Sequence, residues 1–359
     1  MNKKNVLLLF LLLVGTSSRL SARDTDTEVD LKTLYQQIDE AIDHSPNYVA
    51  NRVLQITSAR KSFFAENNQE RKFDMAKQLF DLYVPYRNDS ALYFADVCIS
   101  MADSLHRYDE VGLYQSLKAY QCSNTGRYVE SLELLKQVDK KMLSREGLTK
   151  YYAAWMHVCG EIGSFSQQED ERQRYYGYQD GYRDSVLAVA EEGSEEYLHL
   201  TMDVLSARRQ YQDALSVSDS WLDKVTEGTH EHAFAAFYRS VVYDKLNNNE
   251  KQRYWLGMSA LSDIMSAVYD QASLFMLAER LCDDGDYERA YRYMLFSKAC
   301  NTAFSPQLRN YQVRYVENVL EKVYQNSQDR YTMFLIIACA VVLLLLVAVV
   351  WLIIRRRRI

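Results

Sequence analysis

Two short segments of the chain carry side chains that could bind a metal ion. His230, Glu231 and His232 are consecutive, and the segment Asp283–Asp286 (DDGD) looks like the start of a calcium loop. Residues two apart on a helix point in different directions, so the two histidines would make a poor clamp for one ion. The acidic segment lacks the spaced ligands and closing Glu of a calcium loop. We therefore expect no metal at either segment, and a simple turn at the second.

The sequence contains none of the common catalytic or cofactor-binding motifs. It has no Gly-rich phosphate loop, no Gly-x-Ser-x-Gly, no His-Glu-x-x-His and no Cys-x-x-Cys. Cysteines on apolar helix faces usually act as small hydrophobic core residues, although one disulfide stays open as an alternative. We expect a non-enzymatic protein with no catalytic residue and no cofactor.

Aromatic side chains are the more promising candidates for a binding surface. In a helical solenoid, the inner helices can present such groups to a peptide or to a partner protein. The alternative is that these rings are ordinary core residues. The candidate partner surface consists of Trp155, Trp221, Tyr254, Trp255, Tyr291 and Tyr293.

Composition and charge set the fold class and exclude one class of partner. The 359 residues include only 12 Gly and 3 Pro, too few for the many turns of an all-β fold, so an all-α protein is predicted. Residues 23–332 carry all 48 acidic residues and 35 of the 42 basic ones, a formal charge of −13. Such an acidic region argues against nucleic acid as a partner.

Apolar residues at three- and four-residue steps predict the first helices. One helix begins at Leu31 and is interrupted by Pro46, a second runs from about Tyr48 to Phe64, and a third from Arg71 to Tyr83. A proline inside a helical pattern removes one hydrogen bond and usually ends the helix.

A repeated turn motif follows. GRYVESLELL (126–135) and GDYERAYRYM (285–294) share a Gly-x-Tyr-x-x-small pattern, and RQYQDALSV (209–217) is a version without Gly. The pattern resembles the turn of the tetratricopeptide repeat (TPR), where a small residue allows close helix packing. Weaker turns are expected near residues 164–165 and 248–249. This predicts a TPR-like helical-hairpin solenoid, with a non-repetitive helical bundle as the alternative.

Both ends of the chain carry targeting or membrane signals. Residues 1–22 read as a secretory signal peptide, because the apolar run is too short to span a bilayer. Residues 333–354 form a 22-residue apolar run without charge, which predicts a single transmembrane helix. Arg355, Arg356, Arg357 and Arg358 follow it, and positive charge stays on the cytoplasmic side. We expect an inner-membrane protein with a periplasmic N-terminal region.

We divide the chain after the signal peptide into five parts. They are an N-terminal helical region (23–105), TPR-like repeats (106–307), a capping or stalk helix (308–332), the transmembrane helix (333–354) and a short cytoplasmic tail (355–359). The segment 308–332 has apolar residues at three-four-three steps over two heptads, which could pair with a second copy. A solenoid also needs a capping helix for its end, and this role is favoured over a homodimer stalk.

Two N-terminal stretches resemble a known family. LKTLYQQIDEAIDHSPNY (31–48) and KQLFDLYVPYRNDSALYFADVCISMADSL (77–105) are similar to membrane-bound regulators of Bacteroidota that contain a domain of unknown function. The resemblance extends in order over about residues 31–359. It implies a signal peptide, a TPR-like periplasmic region and one transmembrane helix. Such regulators usually continue into a cytosolic arm that binds DNA, and the sequence shows none after Ile359.

These observations support two functional hypotheses. The first is a non-enzymatic, membrane-anchored periplasmic sensor module that binds a protein or peptide through its helical repeats and signals through the membrane. The alternative is a structural scaffold for an envelope assembly. Neither is decided by the fold alone.

Overall fold

The computed structural model describes residues 30–269, 272–304 and 310–357, and within these ranges all regular structure is helical. The predicted signal peptide lies outside the described residues. Fourteen α-helices are present in the described ranges, together with a single 3₁₀ turn at Lys140–Met142. They are α1 Leu31–Ala65, α2 Gln69–Tyr83, α3 Asn88–Ser104, α4 Tyr108–Asn124, α5 Tyr128–Gln137, α6 Arg145–Phe165, α7 Glu169–Val189, α8 Glu195–Ala207, α9 Tyr211–Leu222, α10 His230–Lys245, α11 Asn249–Met265, α12 Ser273–Asp283, α13 Tyr287–Phe304 and α14 Asn310–Arg357.

Six of the connections between helices use one turn geometry. At the α4–α5 connection the N–H of Gly126 donates to the Ser123 carbonyl (3.1 Å), and the N–H of Arg127 donates to the Cys122 carbonyl (2.9 Å). These two bonds satisfy carbonyl groups that the end of a helix leaves without partners. The residue at the centre has a left-handed backbone, with φ of 77° at Gly126. The six central residues are His106, Gly126, Arg209, Asn247, Ala267 and Gly285.

The predicted repeat turns are therefore confirmed at Gly126, Arg209 and Gly285, and the weaker turn near residues 248–249 is confirmed at Asn247. The expected turn near residues 164–165 also ends a helix, but Ser166 follows with an extended backbone. His106 and Ala267 adopt the same turn without any glycine signal.

The small residues of the motif pack as predicted. Ser131, Ala214 and Ala290 are fully buried, and the Ser131 hydroxyl donates to the Ala119 carbonyl of the preceding helix (2.7 Å). Tyr128 is half-buried against the core formed by α4, α5 and α6. The small side chain thus allows successive helices to pack closely, and the neighbouring tyrosine packs between them.

The predicted break at Pro46 is wrong, because α1 runs without interruption from Leu31 to Ala65. Proline removes only one hydrogen bond of the helix ladder. The two halves of α1 are each held by tertiary packing: Leu34 and Ile38 pack on α11, α12 and α13, whereas Ile56 and Phe63 pack on α2 and α3. Burial on both sides of the proline outweighs the lost bond.

Helix α1 consequently connects α2 and α3 with α11, α12 and α13. The Tyr293 hydroxyl of α13 donates to the Tyr35 carbonyl (3.2 Å), and Arg52 donates to the Ser266 carbonyl at the end of α11 (2.7 Å). Nearby, the N–H of Tyr269 donates to the Pro85 carbonyl (2.8 Å). The helical array therefore closes on itself through α1 instead of leaving its two ends apart.

The C-terminal helix α14 contains the membrane candidate. Its segment Gln328–Arg356 is 29 residues long, apolar enough to cross a membrane and not buried by the rest of the described structure. The predicted apolar run 333–354 lies inside this segment. Arg355 and Arg356 are exposed at its end, and Arg355 lies 5.3 Å from the Trp351 ring centroid. The apolar face of residues 308–332 stays a prediction, since most of its side chains are outside the described set.

Candidate functional site

The six aromatic residues predicted as a partner surface belong to separate parts of the structure. Trp221 (4% exposed) and Tyr293 (0% exposed) are core residues, because neighbouring helices cover them completely. These two residues therefore pack in the core and are not accessible to a partner, in contrast to the expectation from the sequence.

The other four are more accessible but do not form one surface. Trp155 on α6 stacks on Tyr182 of α7, with ring centroids 5.3 Å apart. Tyr254 and Trp255 on α11 contact each other edge to face, and the Arg239 guanidinium lies 4.7 Å from the Trp255 ring centroid. Tyr291 on α13 is the exposed one, at 39%.

The two histidines of the sequence segment 230–232 connect helices. His230 Nδ1 lies 2.8 Å from the Asp263 carboxylate, and His232 Nδ1 lies 2.9 Å from the Ser262 hydroxyl, both on α11. Within the described ranges, no group of three or more His, Cys, Asp or Glu residues is arranged to hold a metal ion. The acidic segment 283–286 forms the turn expected of it, with Gly285 at φ 86°.

A different set of side chains converges from the even-numbered helices α2 to α10, and we call this the inner face. Lys150 of α6 forms an ion pair with Glu196 of α8. The His199 ring of α8 stacks on the Tyr238 ring of α10, with centroids 4.7 Å apart and planes 14° from parallel. Five helices distant in sequence therefore contribute to one region, whose charged and aromatic members are Asp81, Tyr120, Glu146, Lys150, His157, Glu195, Glu196, His199, Asp203, Glu231 and Tyr238.

The carboxylates of this inner face are exposed to solvent, apart from the half-buried Glu196, although other parts of the chain lie close to them. Burial raises the pKa of Asp81, of Glu195 and of Asp203 above the ordinary range. For Glu196, burial alone would raise the pKa, but the Lys150 ammonium outweighs it and the pKa is lowered. The three raised values show that ionising these groups costs free energy in the folded state.

His199 has one ring nitrogen that can accept a hydrogen bond on this face. Burial lowers its pKa to about 4, so the imidazole is neutral near pH 7. Nδ1 lies 3.0 Å from the Glu195 carbonyl oxygen, which can only accept, so Nδ1 carries the proton. The other nitrogen, Nε2, therefore presents a lone pair. Carboxylates, this lone pair and aromatic ring faces all favour a ligand that donates hydrogen bonds and carries positive charge.

Sequence reasoning missed the inner face because its residues are brought together by tertiary structure. One signal was available in α8, where Glu195, His199 and Asp203 are spaced at i, i+4 and i+8 and so share one side of a helix. Nothing local in the sequence indicates that Asp81, over a hundred residues earlier, lies on the same face.

Repeated helical hairpins with one left-handed turn geometry define a TPR-like protein, a class whose members are in general non-catalytic binding modules. The sequence model described as "SusR N-terminal TPR domain" matches residues 42–315, so the chain belongs to that family. The match covers most of α1 and all helices through α13. Comparison with curated proteins gives no match.

Proposed function

We propose that this protein is a membrane-anchored sensor module: its repeats bind a protein partner in the periplasm, and binding is transmitted through α14 to the cytoplasmic side. One observation carries the proposal. A single helix of 48 residues, Asn310–Arg357, contains both the segment after the repeats and the membrane candidate. Because the helix is continuous, a rotation of its periplasmic end about the helix axis also rotates its membrane segment.

The orientation proposed for this module rests on charge. Arg355–Arg358 follow the apolar segment directly, and arginine is retained on the cytoplasmic side of inner membranes. In the proposed orientation, the repeats therefore lie in the periplasm. A C-terminal fusion tests the orientation: green fluorescent protein should be fluorescent there, whereas alkaline phosphatase should be inactive. An active phosphatase fusion would contradict the orientation.

Insertions in α14 test transmission. Each helical residue adds about 100° of rotation, so two alanines inserted after Gln325 turn the membrane segment by about 200°, whereas seven turn it by about 700° and nearly restore its phase. We expect the two-residue insertion to alter expression of the genes that respond to deletion of the protein, and the seven-residue insertion to leave them as in the wild type.

The alternative, a structural scaffold for an envelope assembly, predicts a different outcome. A scaffold would co-purify with envelope proteins, and neither its deletion nor either insertion would change transcription. RNA sequencing of the deletion and both insertion strains distinguishes the two functions, and unchanged transcription in all three strains would reject the sensor.

A further inference from the structure

The two halves of α1 belong to different hydrophobic cores. The first half packs together with α10, α11, α12 and α13, and we call this the α10–α13 core. The second half packs together with α2, α3 and α4, and we call this the α2–α4 core. The α1 side chains up to Tyr48 contact the former core, and those from Val49 onward contact the latter. Pro46 therefore lies within one helical turn of the point where α1 passes from one core to the other.

Pro46 weakens α1 at this point without filling space in either core. Its residue is exposed, in the interior of a helix of 35 residues. Proline has no N–H, so the Ile42 carbonyl has no helical donor four residues later. Sharp bends in helices are found almost always at proline or at a similar interruption of the hydrogen-bond ladder. The helix is thus easiest to bend between its two cores.

The first half of α1 is fixed to α13 by polar contacts as well as by the shared core. Arg289 Nε donates to the Asp39 carboxylate (3.3 Å). Arg292 donates to the Asp39 carbonyl (2.9 Å) and to the Asp43 carboxylate (2.7 Å). Because three side chains of α1 and α13 are tied in this way, the first half of α1 and α13 should move together.

The described contacts that connect the two cores directly are mainly polar. Arg52, in the second half of α1, donates to the Ser266 carbonyl at the end of α11 (2.7 Å), and the Tyr269 N–H donates to the Pro85 carbonyl (2.8 Å). The Tyr269 ring also lies 4.7 Å from the Tyr86 ring, measured between centroids. Rearranging such contacts exposes little apolar surface, whereas opening either core would expose buried side chains.

We infer that α1 bends at Pro46 and that this hinge changes the position of α13 relative to α2, α3 and α4. The inference rests on the proposed function, because α13 directly precedes α14 and the hinge would be the element through which binding by the repeats reaches the membrane helix. A bend of about 20°, acting over the ~22 Å of helix between Leu31 and Pro46, moves the start of α1 by roughly 8 Å.

The test measures distances between two spin labels by double electron–electron resonance, with the full chain in lipid nanodiscs. A Cys339→Ala background is used, since the other five cysteines are buried. Ser100→Cys on α3 and Lys298→Cys on α13 supply two exposed labelling positions, one on each side of the hinge. We expect these distances to spread over roughly 8 Å, and Pro46→Ala should narrow the distribution, because it restores the missing helical hydrogen bond.

Two controls separate the hinge from other effects. The pair Gln78→Cys/Ser100→Cys lies on α2 and α3, within one core, and its distribution should be narrow with or without Pro46→Ala. Asn51→Ala, at an exposed position of α1, raises helix propensity without changing the hydrogen-bond ladder, so it should leave the Ser100–Lys298 distribution as in the wild type. Equal distributions in the wild type and in Pro46→Ala, or equal narrowing by Asn51→Ala, would overturn the inference.

Failure here is separable from failure of the proposed function. The distances are measured without a partner, whereas the insertions in α14 are read by transcription. A transcriptional effect of the two-residue insertion together with identical distances in the wild type and in Pro46→Ala would reject only the hinge.

Discussion

Gly126 offers a clean measurement of what the repeat turn requires. Its φ is 77°, a conformation that costs an ordinary L-residue about 1–2 kcal/mol, and no heavy atom lies within 4 Å of a Cβ built there. Gly126→Ala therefore introduces backbone strain without a clash. The unfolded chain also becomes less flexible, which offsets about 0.4–1 kcal/mol. We expect a net loss of about 1 kcal/mol in the free energy of unfolding.

The matched control is Gly177→Ala in the middle of α7. A Cβ there also meets nothing within 4 Å, but the backbone is helical, where alanine is favoured over glycine by about 0.5–1 kcal/mol. The same chemical change should thus stabilise at residue 177 and destabilise at residue 126. Asparagine tolerates the left-handed conformation, so Gly126→Asn should fall between glycine and alanine.

The assay is equilibrium urea unfolding of the full chain in detergent, followed by far-UV circular dichroism. At an unchanged slope, the midpoint should fall for Gly126→Ala and rise for Gly177→Ala. Thermal midpoints should separate in the same directions, by about 2–4 °C for each kcal/mol. Shifts of both variants in the same direction would refute the assignment of strain to the turn.

Three further predictions concern the inner face, the closing helix and the membrane. Burial raises the pKa of Glu195 in the folded state above its ordinary value of 4.5, so the stability that its protonated form contributes is full below pH 4.5 and is lost as the pH rises through the folded-state pKa. Glu195→Gln removes the cost of ionising this carboxyl group and should therefore raise the urea midpoint near neutral pH. A variant that is less stable than the wild type near neutral pH would contradict this. Gly257→Ala would place a Cβ 2.7 Å from Leu34 Cδ2 of α1 and should cost about 1–3 kcal/mol, whereas adding Leu34→Ala should recover part of that loss in a double-mutant cycle. Truncation before Gln328 should move the protein from the carbonate-resistant membrane fraction to the soluble fraction, and a truncated chain that stays in the membrane would show that α14 is not the anchor.

Much of the fold could be predicted from neighbouring residues. The Gly-x-Tyr pattern locates the turns at Gly126 and Gly285, because a left-handed residue and a small packing residue are local requirements of that geometry. The long apolar run near the C-terminus indicates a membrane helix by length alone. His106 and Ala267 were not predicted, because neither carries the glycine of the repeat pattern, and histidine only occasionally and alanine rarely adopts the left-handed conformation.

The candidate site, in contrast, depends on contacts that are distant in sequence. Periodicity could not show that Trp221 and Tyr293 are covered while Tyr291 is exposed, because burial is decided by helices that pack from elsewhere in the chain. The same reason applies to Pro46, whose helix persists because both of its halves are buried against different repeats. Local patterns of residues are enough to predict a helical, repeated protein with an apolar C-terminal helix. Which carboxylates and rings share the inner face depends on tertiary contacts, because closure of the array through α1 and the packing of successive hairpins bring together residues from α2 to α10.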